Sequence, residues 1–230
     1  MFRTDLGIFS MIKKLFLGLA ATATLAAPVA AIAQDAVDAR TGRVYAPVNY
    51  DPAVDPENVL VLDLSNNRSV SVRLMPDWAP NHVERIKTLA RQGFYDGVIF
   101  HRVIDGFMAQ TGDPTGTGQG GSQLPDLEEE FNAMPHVRGT ISMARAQSED
   151  SANSQFFIMF MPRFALDRTY TNFGRVISGM DAVDAIQRGE PPSNPTRVLR
   201  ARIAADGAAP MRVSPMPAAQ PQTDEDIIGS

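Results

Sequence analysis

The stretch Val98-Ile99-Phe100-His101-Arg102-Val103-Ile104-Asp105-Gly106-Phe107-Met108-Ala109-Gln110-Thr111-Gly112-Asp113 decides the architecture. Residues 98–104 are rich in β-branched and aromatic side chains and read as a strand. Gly106 turns the chain into Phe107-Met108-Ala109-Gln110. Residues 111–122 then hold five glycines and Pro114, which is loop chemistry. Ser122, Gln123 and Pro125 follow, so no helix starts there. A dinucleotide fingerprint needs a strand before the glycines and a helix after them. A phosphate loop needs Lys-Ser/Thr at its end. Both are missing, and the strand does not open a parallel βαβ unit.

The same grammar extends in both directions. Residues 58–64 are a short aliphatic run, Asn66-Asn67 signals a turn, and Val70, Val72 and Leu74 alternate with Ser69, Ser71 and Arg73. Two runs around an Asn turn predict a hairpin. Pro80 suits the first turn of a helix, with Val83, Ile86, Leu89 and Ala90 on one face and Glu84, Arg85, Lys87 and Arg91 on the other. Gly93 ends it. Further strands are expected at 140–144, 155–160, 172–177 and 197–204. A short helix is expected at 181–188, with Val183 and Ile186 inward. Residues 126–131 are acidic and read as surface. Seven or eight short strands and two helices, with no βαβ alternation, predict a mainly β chain folded as a closed antiparallel barrel.

Composition narrows the chemistry. The 230 residues carry no cysteine, which removes thiol nucleophiles, thiolate metal sites and disulfides together. The three histidines, His82, His101 and His136, have no ligand-like spacing. A net charge of −5 argues against nucleic acid as a partner. Lys13-Lys14, an apolar run over 15–30 and Ala31-Ile32-Ala33 have the order of a signal peptide, with Met11 as initiator and cleavage after Ala33. The expected organisation is therefore a leader at 1–33, a flexible lead-in at 34–56, a folded domain at 57–205 and a disordered tail at 206–230. After cleavage no membrane contact is expected, and the destination is the periplasm or the medium.

On the residues alone, three function classes stay open. Ser142, Ser151 and Ser154 with His101 or His136, and Asp113, Glu130 or Asp167, invite a hydrolase, although no Gly-x-Ser-x-Gly elbow is present. Arg102 lies mid-strand beside Phe100 and ahead of Phe107-Met108, with Gln110 and Gln155-Phe156-Phe157 downstream. It is either a surface arginine lying along its own stem or a guanidinium with work to do in a binding module or an enzyme. Phe107, Met108 and Phe157 read more readily as plain core.

The motif from Phe100 through Gly106-Phe107-Met108, Gln110 and Gly112-Asp113 resembles the signature of the cyclophilin family of peptidyl-prolyl isomerases. So do Ile141-Ser142-Met143-Ala144, Ser154-Gln155-Phe156-Phe157-Ile158, Leu166-Asp167 and Phe173-Gly174-Arg175-Val176, in that order, over about 58–204. The resemblance implies an eight-stranded antiparallel β-barrel capped by two α-helices. It implies a monomer without cofactor or metal that accelerates rotation about X–Pro bonds in proline-containing segments of exported proteins during folding. By the same resemblance Arg102 and Gln110 are catalytic. Phe107, Met108, Phe157 and Leu166 form a proline socket. Gly118, Ala144, Arg145, Ala146, Gln155 and Tyr170 contact substrate, and His101 supports. A binding module that holds proline without turnover is the alternative, and retention of Arg102 disfavours it.

Three positions depart from the family pattern. Arg145 stands where relatives commonly have Asn. The loop at 147–153 is one residue longer and acidic. Ala165 stands where the best-known members have Trp, with Phe164 adjacent as a partial substitute, and weak cyclosporin binding is expected from that loss.

Overall fold

A computed structural model describes residues 47–207 and, before them, the backbone of a two-residue ladder between β1 (Ala36–Val37) and β2 (Val44–Tyr45). The expected leader at 1–33 and the tail from 208 onward lie outside the described residues. The domain is built from β3 (Val59–Leu64), β4 (Arg68–Leu74), α1 (Pro80–Arg91), β5 (Arg102–Ile104), β6 (Met108–Thr111), β7 (Thr140–Met143), β8 (Phe156–Met159), β9 (Asn172–Ser178), α2 (Met180–Asp184) and β10 (Val198–Ile203). Eight strands form one antiparallel sheet in the order β10-β3-β4-β9-β7-β8-β6-β5.

The expected closed barrel is corrected here to a curled, open one. No ladder joins the edge strands β5 and β10. They approach through an isolated bridge, Ile99 with Arg197, and through the backbone hydrogen bonds around it, from Gly97 N–H to the Val198 carbonyl, Val198 N–H to the Val98 carbonyl and Phe100 N–H to the Thr196 carbonyl. The reason is local. β5 has three residues, and its free edge pairs with Gly189 rather than with β10. Residues 98–101, expected as part of one long strand, form no continuous ladder: Ile99 bridges Arg197, and Val98 and Phe100 bond the backbone of Val198 and Thr196. The second helix is also shorter than expected, ending at Asp184 rather than near 188.

Inside the curl, alternate residues of the strands meet in one cluster: Leu60, Leu62 and Leu64 of β3, Val70, Val72 and Leu74 of β4, Phe156 and Ile158 of β8, and Phe173 of β9. Val83, Ile86 and Leu89 of α1 close one side of it. No side chain of α1 caps its own N-terminus. The Glu130 carboxylate does so from across the fold, accepting from the backbone N–H of Asn81 (3.1 Å) and of His82 (3.0 Å), and from His82 Nδ1 at 2.6 Å. An anion there also faces the positive end of the helix dipole. Glu130 therefore departs from the acidic surface read at 126–131, because its side chain is only 8% exposed.

The lead-in also departs from expectation over 47–56. Arg73 is 3% exposed, and its guanidinium donates to the carbonyls of Asn49, Asp51, Val54 and Asp55 at 2.6–3.1 Å. Val48 packs on Met75 and Trp78. A rigid, always charged fork suits four carbonyls converging on one point. Arg73→Ala should lower unfolding free energy by about 1–3 kcal/mol, the cost of losing hydrogen bonds to a charged group. Denaturant midpoints measure the loss, and new proteolytic cuts within 49–55 should accompany it.

Candidate active site

The register of four strands builds the site. On the sheet face away from the core cluster, Arg102 of β5 is paired with Gln110 of β6, Gln110 with Phe157 of β8, and Phe157 with Ser142 of β7. A neighbouring row runs Ile104, Met108, Met159. Period-2 alternation makes this possible. In β8, Phe156 and Ile158 enter the core while Phe157 and Met159 belong to a second apolar cluster with Met108, Phe107, Ala144, Leu166 and Tyr170. Both faces of β8 are buried, so it reads as an unbroken apolar run.

Over this second cluster lies a cleft of about 260 Å³ lined by Arg102, Phe107, Met108, Gln110, Ala144, Arg145, Phe157, Leu166 and Tyr170. A second cavity of about 450 Å³ adjoins it and shares Gln110, Ala144 and Arg145. Its wall adds Gly118, Ala146 and Gln155, with Ser122, Asp126 and Asn153, which the sequence did not single out. The two make one groove with an apolar end and a polar end. Tyr170 meets Phe157 edge-on at 5.8 Å, and the Arg145 guanidinium lies 4.8 Å over the Tyr170 ring while donating to the Thr169 carbonyl. Arg145 thus ties the two banks of the groove together.

The glycine-rich loop is shaped by Asp113, which is fully buried. Its carboxylate accepts from Thr115 N–H (2.7 Å), Thr115 Oγ1 (2.7 Å), Gly118 N–H (2.6 Å) and Gly120 N–H (3.1 Å). Burial pushes this carboxyl up, but the hydrogen bonds from Thr115, Gly120 and Gly118 together outweigh it and hold it at about 2. The loop in turn presents the carbonyls of Gly118 and Gly120 to Gln155 Nε2, and Gln155 Oε1 accepts from Gln110 Nε2 at 2.8 Å.

These observations together describe a guanidinium beside an apolar socket on the outer face of a curled antiparallel sheet. A family model for "Cyclophilin type peptidyl-prolyl cis-trans isomerase/CLD" matches residues 60–204. The chain belongs to the cyclophilin family. Its enzyme class is that of the peptidyl-prolyl cis-trans isomerases. A "Probable peptidyl-prolyl cis-trans isomerase" of Brucella suis is 49% identical over 170 residues, covering 67% of this chain and 86% of the relative. Among solved structures, a cyclophilin from Hirschia baltica superposes with a TM-score of 0.62 at 30% identity, covering 66% of this chain and 76% of that one. A cyclophilin-type isomerase from Cryptosporidium parvum, solved in the presence of the dipeptide Ala-Pro, gives 0.59 at 26% identity, covering 63% and 98%.

Within this cyclophilin the residues that the resemblance assigned to the site all line the groove except His101. His101 is buried (5% exposed) with both ring nitrogens unpartnered among the described residues, and a side chain at Gly118 would stand 3.6 Å from its ring. Burial lowers its pKa against the opposing pull of Asp113, and it lies outside both cavities. Gln110 bonds Gln155, and Arg102 Nε donates to Glu190 Oε2 at 2.8 Å. One expectation needs correction. Phe164 is 64% exposed and does not line the cleft, so it does not replace the missing indole at Ala165.

The hydrolase candidates also meet, in an unexpected way. Asp167 Oδ1 lies 2.9 Å from His136 Nδ1, and His136 Nε2 lies 3.0 Å from Ser142 Oγ. The order is that of a nucleophile, base and acid. Ser142 is nevertheless completely buried, with its hydroxyl donating to the Thr171 carbonyl at 2.7 Å. A nucleophile without access to solvent or to either cavity attacks nothing. The chain instead anchors the socket wall, because His136 N–H also donates to Asp167, next to Leu166, and the His136 ring stacks on Phe157. Among the described residues no group of three or more His, Asp or Glu side chains converges as a metal site would.

Proposed function

We propose that the chain accelerates X–Pro rotation in exported proteins by favouring the twisted amide over either planar form. The barrier of about 18–20 kcal/mol is lost resonance in the C–N bond, while the planar forms of X–Pro differ by only about 0.5–1 kcal/mol. No covalent bond to the enzyme is required, only stronger binding of the twisted state. In that state the prolyl nitrogen regains a lone pair. Arg102 donates to it while Phe107, Met108, Phe157 and Leu166 hold the ring. The backbone of 144–146 with Gln155 grips the residue before proline. The observation that carries this reading is one fixed guanidinium on the rim of an apolar cleft.

The order of the first 33 residues supports export, and proline-containing segments of chains folding in the periplasm are the proposed substrates. Uncatalysed X–Pro isomerisation takes about 10–100 s, slow enough to limit folding there. Titrating labelled protein with an Ala-Pro peptide tests the site. Shifts should centre on Phe107, Met108, Ala144 and Phe157, and shifts confined to another face would contradict it. Sequencing the N-terminus of protein recovered from the periplasm tests export, with Gln34 expected as the first residue and an intact leader against it.

The empty position at Ala165 supports weak cyclosporin binding. Ala165→Trp should tighten cyclosporin by about tenfold in a fluorescence titration, the scale of one aromatic side chain placed on a ligand. An unchanged affinity would mean that this position does not face the ligand.

A further inference from the structure

Glu190 lies outside every motif read from the sequence, yet it holds the residue on which the proposed chemistry turns. Its position follows from backbone pairing. Val103 N–H donates to the Gly189 carbonyl at 2.8 Å, and Gly189 N–H returns a bond to the Val103 carbonyl at 2.9 Å. In an antiparallel pair the residue before Val103 then stands opposite the residue after Gly189. That opposition sets Arg102 against Glu190.

Gly189 is required for this approach. Its φ is +143°, and a Cβ there would lie 2.6 Å from Pro192 Cα. Pro191 has no N–H and ends the pairing immediately after Glu190. On the other side Arg188 Nε donates to Asp105 Oδ1 at 3.0 Å, and its guanidinium stacks on Phe160 at 4.1 Å. Residues 188–190 are therefore fixed along the free edge of β5 at three consecutive positions.

We infer that Glu190 is a positioning residue that sets the guanidinium of Arg102 for the twisted amide, an inference that rests on the proposed role of Arg102. The pair is half-exposed, 43% for Arg102 and 51% for Glu190. Pairs of that kind add little to stability. What this one changes is orientation. An arginine side chain carries considerable rotamer freedom, and every transition-state contact must otherwise pay for restricting it. Glu190 takes only Nε. The two terminal nitrogens of Arg102 have no hydrogen-bond partner among the described residues and remain for the substrate at the cleft that Arg102 lines.

The test compares Glu190→Ala, Glu190→Gln and Arg102→Ala on an Ala-Ala-Pro-Phe peptide, with kcat and KM separated and the Arg102 Nε–Hε resonance followed by NMR. In Glu190→Ala, kcat should fall about fivefold, the scale of one exposed charge pair. KM should change less than twofold, and the Arg102 resonance should shift and broaden. Glu190→Gln should keep kcat within twofold, since its amide oxygen accepts from the same N–H. Wild-type kcat in Glu190→Ala, a loss confined to KM, or equal losses in the Ala and Gln variants would each overturn the inference. Full activity in Arg102→Ala would overturn the reading of Arg102 and this inference with it. Loss of activity there beside a fully active Glu190→Ala would overturn this inference alone.

Discussion

Arg102→Ala should lower kcat/KM for a proline peptide by about a hundredfold or more, the usual cost of removing one donor aimed at developing charge. The fold should survive. Arg102 is half-exposed at the end of a three-residue strand, and its partner Glu190 can return to water. The apolar cleft is unaltered in this variant, so KM should change little and the loss should fall on kcat. Arg102→Lys should recover only a small part of the rate, because the donors of an ammonium all radiate from one atom and do not span Glu190 and the substrate as the spread nitrogens of a rigid guanidinium do. A fall of less than threefold in Arg102→Ala would mean that the socket alone carries the catalysis.

The second large effect is expected at Asp113, which lines neither cavity. Asp113→Ala leaves the N–H groups of Thr115, Gly118 and Gly120 without their acceptor. The expected loss is about 3 kcal/mol, or roughly 10 °C in Tm for a domain of this size. Activity should fall with it, since the loop carries the two carbonyls that hold Gln155 at the polar end of the groove. The pH dependence has a definite sign. The folded carboxyl sits at about 2, below its unfolded value near 3.9, so its contribution is fully present above pH 4 and is lost as pH falls through about 2. That contribution is about 3 kcal/mol. Asp113→Asn should show a correspondingly shallower acid slope in denaturant titrations between pH 5 and 2. The wild-type slope in that variant would show that the carboxylate is not held by the loop.

The strands whose side chains alternate were readable, because alternation is imposed by burial of one face. Val70, Val72 and Leu74 are all inside, as their spacing required. β8 was readable as a strand but not as the shared wall of core and site, because a run with both faces buried shows no period. Closure of the barrel was not readable. It turns on whether β5 meets β10 or residue 189, and no local signal reports a pairing between residues 86 positions apart. For the same reason Glu190 was invisible, a single acid in a Pro-rich loop. Arg73 looked like the polar member of an alternating strand and is instead buried under four carbonyls of the lead-in. Asp113 carried a signal, since an Asp two residues before Thr115 and ahead of a glycine-rich loop is the pattern of a carboxylate bonding its own downstream backbone.

The groove residues were assembled from motifs scattered between 101 and 170, and the register explains why those motifs matter together. Arg102, Gln110, Phe157 and Ser142 form one row across four strands. Ser142 completes that row from beneath and joins His136 and Asp167 in support of the wall. Residue types alone left those three open to a hydrolase reading without the elbow it needs, and the burial of Ser142 and His136 assigns them to structure.

The central claim is tested most directly by exchange spectroscopy on an Ala-Ala-Pro-Phe peptide with catalytic amounts of the purified wild-type chain. Cis and trans resonances that are static on the seconds timescale without protein should exchange several times per second with it, against an uncatalysed time of about 10–100 s. Static resonances beside a folded chain that still binds the peptide would contradict the account and leave a proline-binding sheet without catalysis.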